Sequence, residues 1–247
     1  MWELDRFEDE LIEQYRRHPV LANIERLPEE VFAEILLQRR FLSLAFTPAY
    51  DLAIDLLQDA EGLRIARIIL REEYPDDRGN TKSHREDMTD DMLRLGIPRT
   101  ALVRSRPTAA TKRAIEDTFA LIADAGDHDR ADLRLLTLLR FWGEILVSVE
   151  YGRLWERMEP LLVRDGENHS RFYYPHHYHD AKKNSLETVN MRATSHSDRL
   201  GNRLRQLLGD GDGEGTADCF KETEQRSLRL KVSFYDQFLP ALERVGS

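Results

Sequence analysis

The chain has 247 residues, of which 36 are basic and 45 acidic, so its formal net charge is −9. This balance argues against binding of a nucleic-acid backbone as the main function, because such binding requires a basic face. A single cysteine, Cys219, excludes a disulfide within the chain and a cysteine-based zinc cluster. Since no apolar run could cross a membrane and the N-terminal segment is acidic, we expect a soluble, cytoplasmic protein.

Apolar residues repeat at intervals of three and four along most of the chain, which predicts helices. The first helix is predicted over residues 2–15 and ends before His18-Pro19. The second begins at Pro28, with acidic residues near its positive end, and carries apolar residues as far as Phe46. The third is predicted over residues 49–74.

Five further helices are predicted, over residues 82–95, 107–125, 130–162 with a bend near Gly152, 175–208 and 219–244. The glycine-rich residues 209–216 predict a flexible loop. No stretch alternates with a period of two for long enough to predict a strand, and no internal repeat is evident. Short linkers favour antiparallel neighbours, so residues 1–247 are predicted to form one all-α bundle of about seven to eight helices.

The most informative stretch is residues 171–187, which is rich in histidine. On a helix, His176, Asp180 and Lys183 stand at i, i+4 and i+7 and therefore share one face. An imidazole and a carboxylate one turn apart can bind the same ion, and this pairing suits a transition metal better than magnesium or calcium. A solvated polar helix start is the alternative interpretation.

The sixth predicted helix offers two glutamates, and periodicity separates them. Glu150 lies about 20° from Leu139 and about 40° from Leu146 on the apolar stripe, at about 100° per residue. Glu144 lies about 160° from Trp142 and from Leu146, and it is therefore predicted to point outward. Glu150 is predicted to be the inward carboxylate.

Two more predicted helices carry polar residues on apolar faces. Glu73 continues the face of Gly62, Ala66 and Ile69, whereas Glu72 continues that of Ile65 and Ile68. Both glutamates can face inward, and we favour Glu73 because the small residues beside it leave room for a site. On the fourth helix, His84 shares a stripe with two methionines and a leucine, Met88, Met92 and Leu95, and it should face the core.

Five residues from four helices thus form the predicted metal site, namely Glu73, His84, Glu150, His176 and Asp180. A buried carboxylate must be paired, protonated or bound to a metal. Helical bundles assemble dimetal carboxylate sites in their interiors in this way. For each residue taken singly, the alternative is a buried ion pair or a core histidine.

Several segments resemble those of a known family. They are residues 27–30 and 37–41, residues 71–74 followed by Ser83-His84, Val149-Glu150-Tyr151, and the stretch from Phe172 to Asp180 with its His-x-x-x-Asp spacing. The family is that of the heme-oxygenase-like diiron oxidases and oxygenases, relatives of the TenA-type thiaminases and of the pyrroloquinoline-quinone synthase (PqqC) fold. The resemblance implies a heme-oxygenase-like bundle, with Fe(II), two ions in the usual case, and O2 as co-substrate.

The chain departs from the family where the last histidine ligand is expected, since Lys183 stands there. A protonated lysine has no lone pair with which to ligate a metal. The second iron is then weakly held, absent, or bound with a different residue as its last ligand. Alternatively, Lys183 loses its proton, is chemically consumed or binds a substrate carboxylate, and it is the residue for which we predict a catalytic role.

The resemblance implies oxidation of a small substrate in specialised metabolism, by N-oxygenation, desaturation or C–C cleavage of an amino acid, amine or fatty acid. We expect a small-molecule partner and neither nucleic acid nor membrane, with a homodimer as one option. Two alternatives remain open. One is a metal-independent enzyme of the same fold, using Glu73, Glu150 and Lys183 for acid–base chemistry. The other is a non-catalytic helical binding protein.

Overall fold

The computed structural model describes residues 1–76, 80–190, 192, 194–210 and 215–243. These residues are mostly helical with almost no sheet, which confirms the all-α prediction. The α-helices are α1 Trp2–Arg16, α2 Pro19–Ala22, α3 Glu29–Leu56, α4 Ala60–Glu72, α5 His84–Arg94, α6 Arg99–Arg104, α7 Ala109–Gly126, α8 Ala131–Leu138, α9 Leu146–Leu162, α10 Tyr173–His179, α11 His196–Asp210, α12 Thr216–Asp236 and α13 Leu239–Glu243. A 3₁₀ turn spans Ile24–Arg26, and a π-helix spans Leu139–Ile145 between α8 and α9.

The centre of the bundle is the continuous rod formed by α8, the π-helix and α9. Every residue of the π-helix is buried, because α3, α11 and α12 pack around it. Helices α1 and α10 cover α9. Since the rod has no solvent-facing side in its middle turns, polar residues there must find partners inside the protein.

One small β-hairpin departs from the prediction that the chain has no strand. Val163–Arg164 pairs antiparallel with Glu167–Asn168, with Val163 opposite Asn168. The two turn residues, Asp165 and Gly166, both have positive φ, as a tight two-residue hairpin turn requires. Two residues per strand are too few to show as alternation in the sequence.

Helix α3 is longer than predicted, and the break predicted between residues 46 and 49 is wrong. The helix continues through Pro48 to Leu56, and Ala49, Tyr50 and Ala53 beyond the proline are fully buried. Their packing outweighs the backbone hydrogen bond that proline cannot make. The break occurs instead before α4, whose N-cap Asp59 accepts a 2.6 Å hydrogen bond from the Gly62 N–H.

The single helix predicted over residues 175–208 is also wrong, since α10 ends at His179 and α11 begins at His196. Two buried carboxylates hold the intervening backbone out of helical conformation. Asp198 accepts hydrogen bonds from the N–H groups of Lys183 and Asn184, each 3.2 Å long. Asp5, on α1, accepts a 2.6 Å hydrogen bond from the Leu186 N–H. These partners are distant in sequence, and helical periodicity does not reveal them.

Helix α9 passes through Gly152, where a bend was predicted, and the irregularity lies instead in the π-helix. A Cβ at Gly152 would lie 2.7 Å from the His177 ring, so this glycine allows α10 to approach α9 closely. Around the predicted 209–216 loop, α11 extends to Asp210 and α12 begins at Thr216, while residues 211–214 lie outside the described residues. Among the described helices, none has the length and apolar composition of a membrane span.

Candidate metal centre

Helix α10 is positioned by a buried carboxylate on α5. Asp91 accepts hydrogen bonds from the Ser170 hydroxyl at 2.7 Å and from the Phe172 N–H at 2.9 Å. Both donors directly precede α10, and the Tyr173 N–H of its first turn lies 3.4 Å from the same carboxylate, at a helix end where N–H groups have no partner within the helix. Asp91 therefore fixes where α10 starts, and with it the position of His176 one turn later.

A first group of possible ligands consists of Glu73, His84 and His176. His84 Nδ1 lies 2.8 Å from Glu73 Oε1, and His176 Nε2 lies 3.9 Å from the same oxygen. The two imidazole rings meet edge to face, with their centres 4.6 Å apart. One atom from each residue lies within 4.8 Å of the others, which is close enough for all three to bind one ion.

A second group consists of Glu144, Asp180 and His196. His196 Nδ1 lies 3.1 Å from Asp180 Oδ1 and 3.2 Å from Glu144 Oε2. Glu144 comes from the π-helix, Asp180 follows the last residue of α10, and His196 is the first residue of α11. The second group is almost fully buried and carries two carboxylates to one imidazole, whereas the first carries one carboxylate to two imidazoles.

Both groups line one cavity of about 470 Å³. The two groups are neighbours because His176 belongs to the first and Asp180 to the second. These residues stand one turn apart at the end of α10, where the Asp180 N–H donates to the His176 carbonyl. The sequence led us to expect that these two residues bind the same ion, but the structure places them in neighbouring groups. Apolar side chains form much of the remaining wall, among them Phe46, Ile69, Met88, Trp142, Val147 and Phe172.

Electrostatics in the first group favour an ionised carboxylate facing imidazoles. Burial opposes ionisation of Glu73, but the contacts with the His176 and His84 imidazoles outweigh it and lower its pKa to about 2. Burial lowers the pKa of His176, and the contacts with Glu73 and Asp180 more than compensate, raising it to about 9. The proton on His176 therefore occupies the position that a cation would take, and metal binding would release it.

In the second group, two carboxylates compete for one imidazole. Burial and the neighbouring Asp180 raise the pKa of Glu144 above its usual value. Burial lowers the pKa of His196, yet hydrogen bonds with Asp180, Glu144 and Glu72 raise it to about 12. Such a buried concentration of negative charge requires a positive partner, which His196 supplies here and which a metal ion would also supply.

The contacts behind the possible ligands fit a metal centre as well. The Phe172 carbonyl accepts a 2.7 Å hydrogen bond from His176 Nδ1, so Nε2 is the nitrogen turned towards Glu73. His196 Nε2 lies 3.0 Å from Glu72 Oε2, and the Tyr50 hydroxyl donates to Glu144. Histidines that ligate metals usually donate their other ring nitrogen to a carbonyl or a carboxylate in this way. The donor set, nitrogen and carboxylate oxygen without sulfur, suits iron, manganese or zinc.

Of the five ligands predicted from sequence, the structure brings four together and places Glu150 elsewhere. Glu73, His84, His176 and Asp180 all line the cavity. Glu150 is fully buried, as predicted, but it belongs to neither group. Its Oε1 accepts hydrogen bonds from Arg39 Nε at 2.6 Å and from the Tyr235 hydroxyl. Of the two glutamates between which the sequence left a choice, Glu73 joins the first group and Glu72 contacts His196.

The prediction that Glu144 points outward is wrong, since its side chain is 1% exposed and lines the cavity. The predicted direction of Glu144 holds only for an α-helix with about 100° per residue. Residues 139–145 form a π-helix, in which each residue turns by a smaller angle. The rod is also buried on all sides here, so it has no outward face. Apolar residues before and after Glu144 in the sequence lie on every face of the helix, and this pattern could have predicted that Glu144 is buried.

The prediction that Lys183 points at the site is also wrong. Because α10 ends at His179, Lys183 is not part of the helix, and its Nζ lies 4.0 Å from the Tyr178 ring centre, away from the cavity lining. The histidine that completes the second group is His196, which sequence analysis missed. A signal was present: Ser195-x-x-Asp198 is a helix-capping pattern, and the Asp198 N–H bonds the Ser195 hydroxyl. This pattern predicts that a new helix begins at His196.

Comparison with known proteins gives structural relatives only. No protein-family model and no curated protein matches the sequence. Among solved structures, a CadD-like protein of unknown function from Nostoc punctiforme is similar with a TM-score of 0.64 and 12% identity, over 99% of this chain and 100% of that one. A domain of unknown function with a heme oxygenase-like fold from Shewanella denitrificans has a TM-score of 0.66 at 12% identity, over 99% and 94%.

A TenA homologue from P. horikoshii is also similar, with a TM-score of 0.55 and 16% identity over 97% of both chains. These similarities extend over nearly the whole chain, and their low identities mean that they speak to the fold. The resemblance predicted from the sequence is confirmed at that level. The chain has the heme-oxygenase-like fold that TenA and CadD-like proteins share.

Proposed function

We propose that this protein is a non-heme diiron oxidase or oxygenase that uses O2 to oxidise a small organic substrate. One observation carries the proposal: two groups of nitrogen and carboxylate ligands adjoin inside one largely apolar cavity. Structural ion pairs do not require two such groups side by side at the wall of a cavity large enough for a small molecule.

Glu73, His84 and His176 would hold one iron, and Glu144, Asp180 and His196 the other. When bound, the pair of ions supplies the redox chemistry that O2 activation requires. The outcome belongs to the set implied by the resemblance, namely N-oxygenation, desaturation or C–C cleavage of an amino acid, amine or fatty acid.

The residues of the chain serve this chemistry in two ways. Glu72 and Tyr50 orient His196 and Glu144 through hydrogen bonds, so these side chains are held in place before a metal binds. Phe46, Trp142 and Phe172 cover the cavity wall and keep water away from the reacting atoms. Substrate would bind against this apolar wall, next to both groups.

The first test is iron stoichiometry after anaerobic loading with Fe(II). We expect two ions per wild-type chain, and clear loss of iron in His84→Ala, His176→Ala and His196→Ala. His169→Ala is the matched control, because His169 is exposed and does not line the cavity. Unchanged iron content in all three cavity variants would contradict the assignment.

The second test is O2 consumption by the Fe(II)-loaded protein with a panel of amino acids, amines and fatty acids. Faster O2 consumption with one substrate class, and its loss in His196→Ala, would support the proposed reaction. Substrate turnover by iron-free protein would instead favour a metal-independent enzyme, in which the imidazole–carboxylate pairs transfer protons.

A further inference from the structure

The cavity has a second polar region besides the two possible metal groups. Arg39 from α3 and Lys231 from α12 both line it, and both contact the carboxylate of Glu150. Arg39 is 4% exposed and Lys231 is 3% exposed, so both cations are removed from bulk water. Placing two cations at the wall of an apolar cavity is costly unless they bind something.

Lys231 is poorly satisfied by its surroundings. Its Nζ lies 3.5 Å from Glu150 Oε2, and that oxygen is among the buried atoms for which the described residues provide no hydrogen-bond partner. The ammonium group also lies over the face of Trp142, whose ring centre is 5.5 Å away. An ammonium group carries three N–H donors, so Lys231 can bind an acceptor inside the cavity.

The charges around Glu150 do not cancel. Arg39 and Lys231 contribute two positive charges, and Glu150 contributes one negative charge. The neighbouring hydroxyls of Tyr15, Tyr151 and Tyr235 remain neutral, because burial raises the pKa of each. Burial also lowers the pKa of Lys231, to about 8, which leaves most of the population charged at neutral pH. Among these groups one positive charge is left for a bound anion. Burial raises the pKa of Glu144, the further carboxylate that acts on Lys231, and so favours its neutral form.

The cations lie within reach of a molecule that also touches the metal groups. The Tyr151 ring separates them: its centre is 6.0 Å from that of the His176 ring and 4.9 Å from Arg39 Cζ. The guanidinium group and the imidazole are thus no more than about 11 Å apart. A second series of contacts also connects the two regions. Tyr50 contacts Glu144 and the Phe46 ring, Phe46 stacks on Trp142, and Trp142 contacts Lys231.

We infer that Lys231, with Arg39 beside it, binds the carboxylate of a small organic acid whose apolar body lies against Phe46 and Trp142. An ammonium–carboxylate hydrogen bond is charge-assisted, and it is therefore stronger than a bond between neutral groups. It would hold one end of the acid at the cations and present the other end to the metal groups. The reaction of that acid rests on the proposed iron-dependent function, whereas its binding does not.

Isothermal titration of the metal-free protein tests the binding directly. The probes are hexanoate, phenylacetate and phenylpropionate, each compared with its primary amide, which has the same shape without the charge. We expect at least one acid to bind, and its amide to bind about tenfold more weakly or worse. Lys231→Met should weaken binding of the acid about tenfold or more while leaving binding of the amide unchanged.

Lys221→Met is the matched control, because Lys221 stands on the same helix and does not line the cavity. Circular dichroism identifies any variant that fails to fold, and Lys231→Gln is the second variant. Equal affinity for acid and amide, undiminished acid binding in folded Lys231 variants, or no acid binding at millimolar concentration would each overturn the inference. Iron stoichiometry separates the two proposals: iron without acid binding overturns only this inference, and acid binding without iron overturns only the proposed function.

Discussion

Two buried glutamates six residues apart on one rod, Glu144 and Glu150, have opposite surroundings. Glu150 faces the fixed cations Arg39 and Lys231, and their charges lower its pKa in spite of burial. Glu144 faces another carboxylate and one histidine, and burial together with Asp180 raises its pKa. The first arrangement neutralises a charge permanently, while the second leaves negative charge compensated only by groups that exchange protons.

This difference distinguishes a structural carboxylate from a possible metal ligand. Arginine keeps its proton at any accessible pH, so Glu150 faces a permanent positive charge. The imidazole of His196 can lose its proton and turn a lone pair to a cation together with Glu144 and Asp180. Burial alone, which both glutamates share, does not make the distinction. The partners that the fold brings to each carboxylate do.

The largest expected effect is the loss of an iron ion in Glu144→Gln. An amide is a much poorer ligand than a carboxylate, and its neutral charge removes part of the attraction for the cation. We expect the second group to lose its iron in an anaerobic Fe(II) titration, while Glu150→Gln binds iron as the wild type does. Loss of iron in Glu150→Gln, with normal iron binding in Glu144→Gln, would mean that Glu150 is a ligand, as predicted from helical periodicity.

The free energy of unfolding should rank the same two variants in the opposite order, with the larger loss in Glu150→Gln. Glu150→Gln leaves Arg39 and Lys231 buried without a counter-ion, and we expect a loss of about 3–5 kcal/mol in the free energy of unfolding. In metal-free protein, Glu144→Gln removes repulsion from Asp180 and should cost much less. Denaturant unfolding of both variants without metal provides the comparison. Equal losses would mean that Arg39 and Lys231 are not specifically paired with Glu150.

The stability of Lys231→Met relative to the wild type should depend on pH. The pKa of Lys231 is lowered from 10.5 to about 8 on folding, so the unfolded chain holds this proton more tightly than the folded one. Folding is therefore penalised below about pH 8, by up to about 3 kcal/mol, and the penalty falls as pH rises towards 10.5. Lys231→Met should be more stable than the wild type at pH 7, and the advantage should shrink above pH 8.

Unfolding curves recorded from pH 7 to pH 10 measure this advantage, with Lys221→Met as the control for loss of one lysine. A difference between Lys231→Met and the wild type that does not change with pH would show that Lys231 is not desolvated as its burial indicates.

The smallest effect is expected from Lys183→His. The family resemblance suggested that a histidine here would restore a ligand and strengthen binding of the second iron. Because Lys183 stacks on Tyr178 outside the cavity, we now expect the iron stoichiometry and affinity of the wild type. Tighter iron binding in an anaerobic titration would mean that the segment after α10 can reach the site.

Most of the helices, and the inward direction of several polar residues, followed from local rules. The i, i+4 spacing placed His176 and Asp180 on one face, and apolar periodicity turned Glu73 and His84 inward. These inferences succeeded because each concerns residues within two or three turns of one regular helix. The heme-oxygenase-like fold could be inferred from the sequence for a related reason, since its segments recur in order along the chain.

The second group of possible ligands was decided by tertiary structure. Asp5 and Asp198 hold the backbone after α10 in a non-helical path, which removes Lys183 from the helical face and lets α11 begin with His196 at the cavity. The π-helix turns Glu144, rather than Glu150, towards Asp180. Both outcomes depend on partners far away in sequence. Helical periodicity indicates which face of a regular, one-sided helix is buried, but it does not indicate which side chains the fold places beside that face.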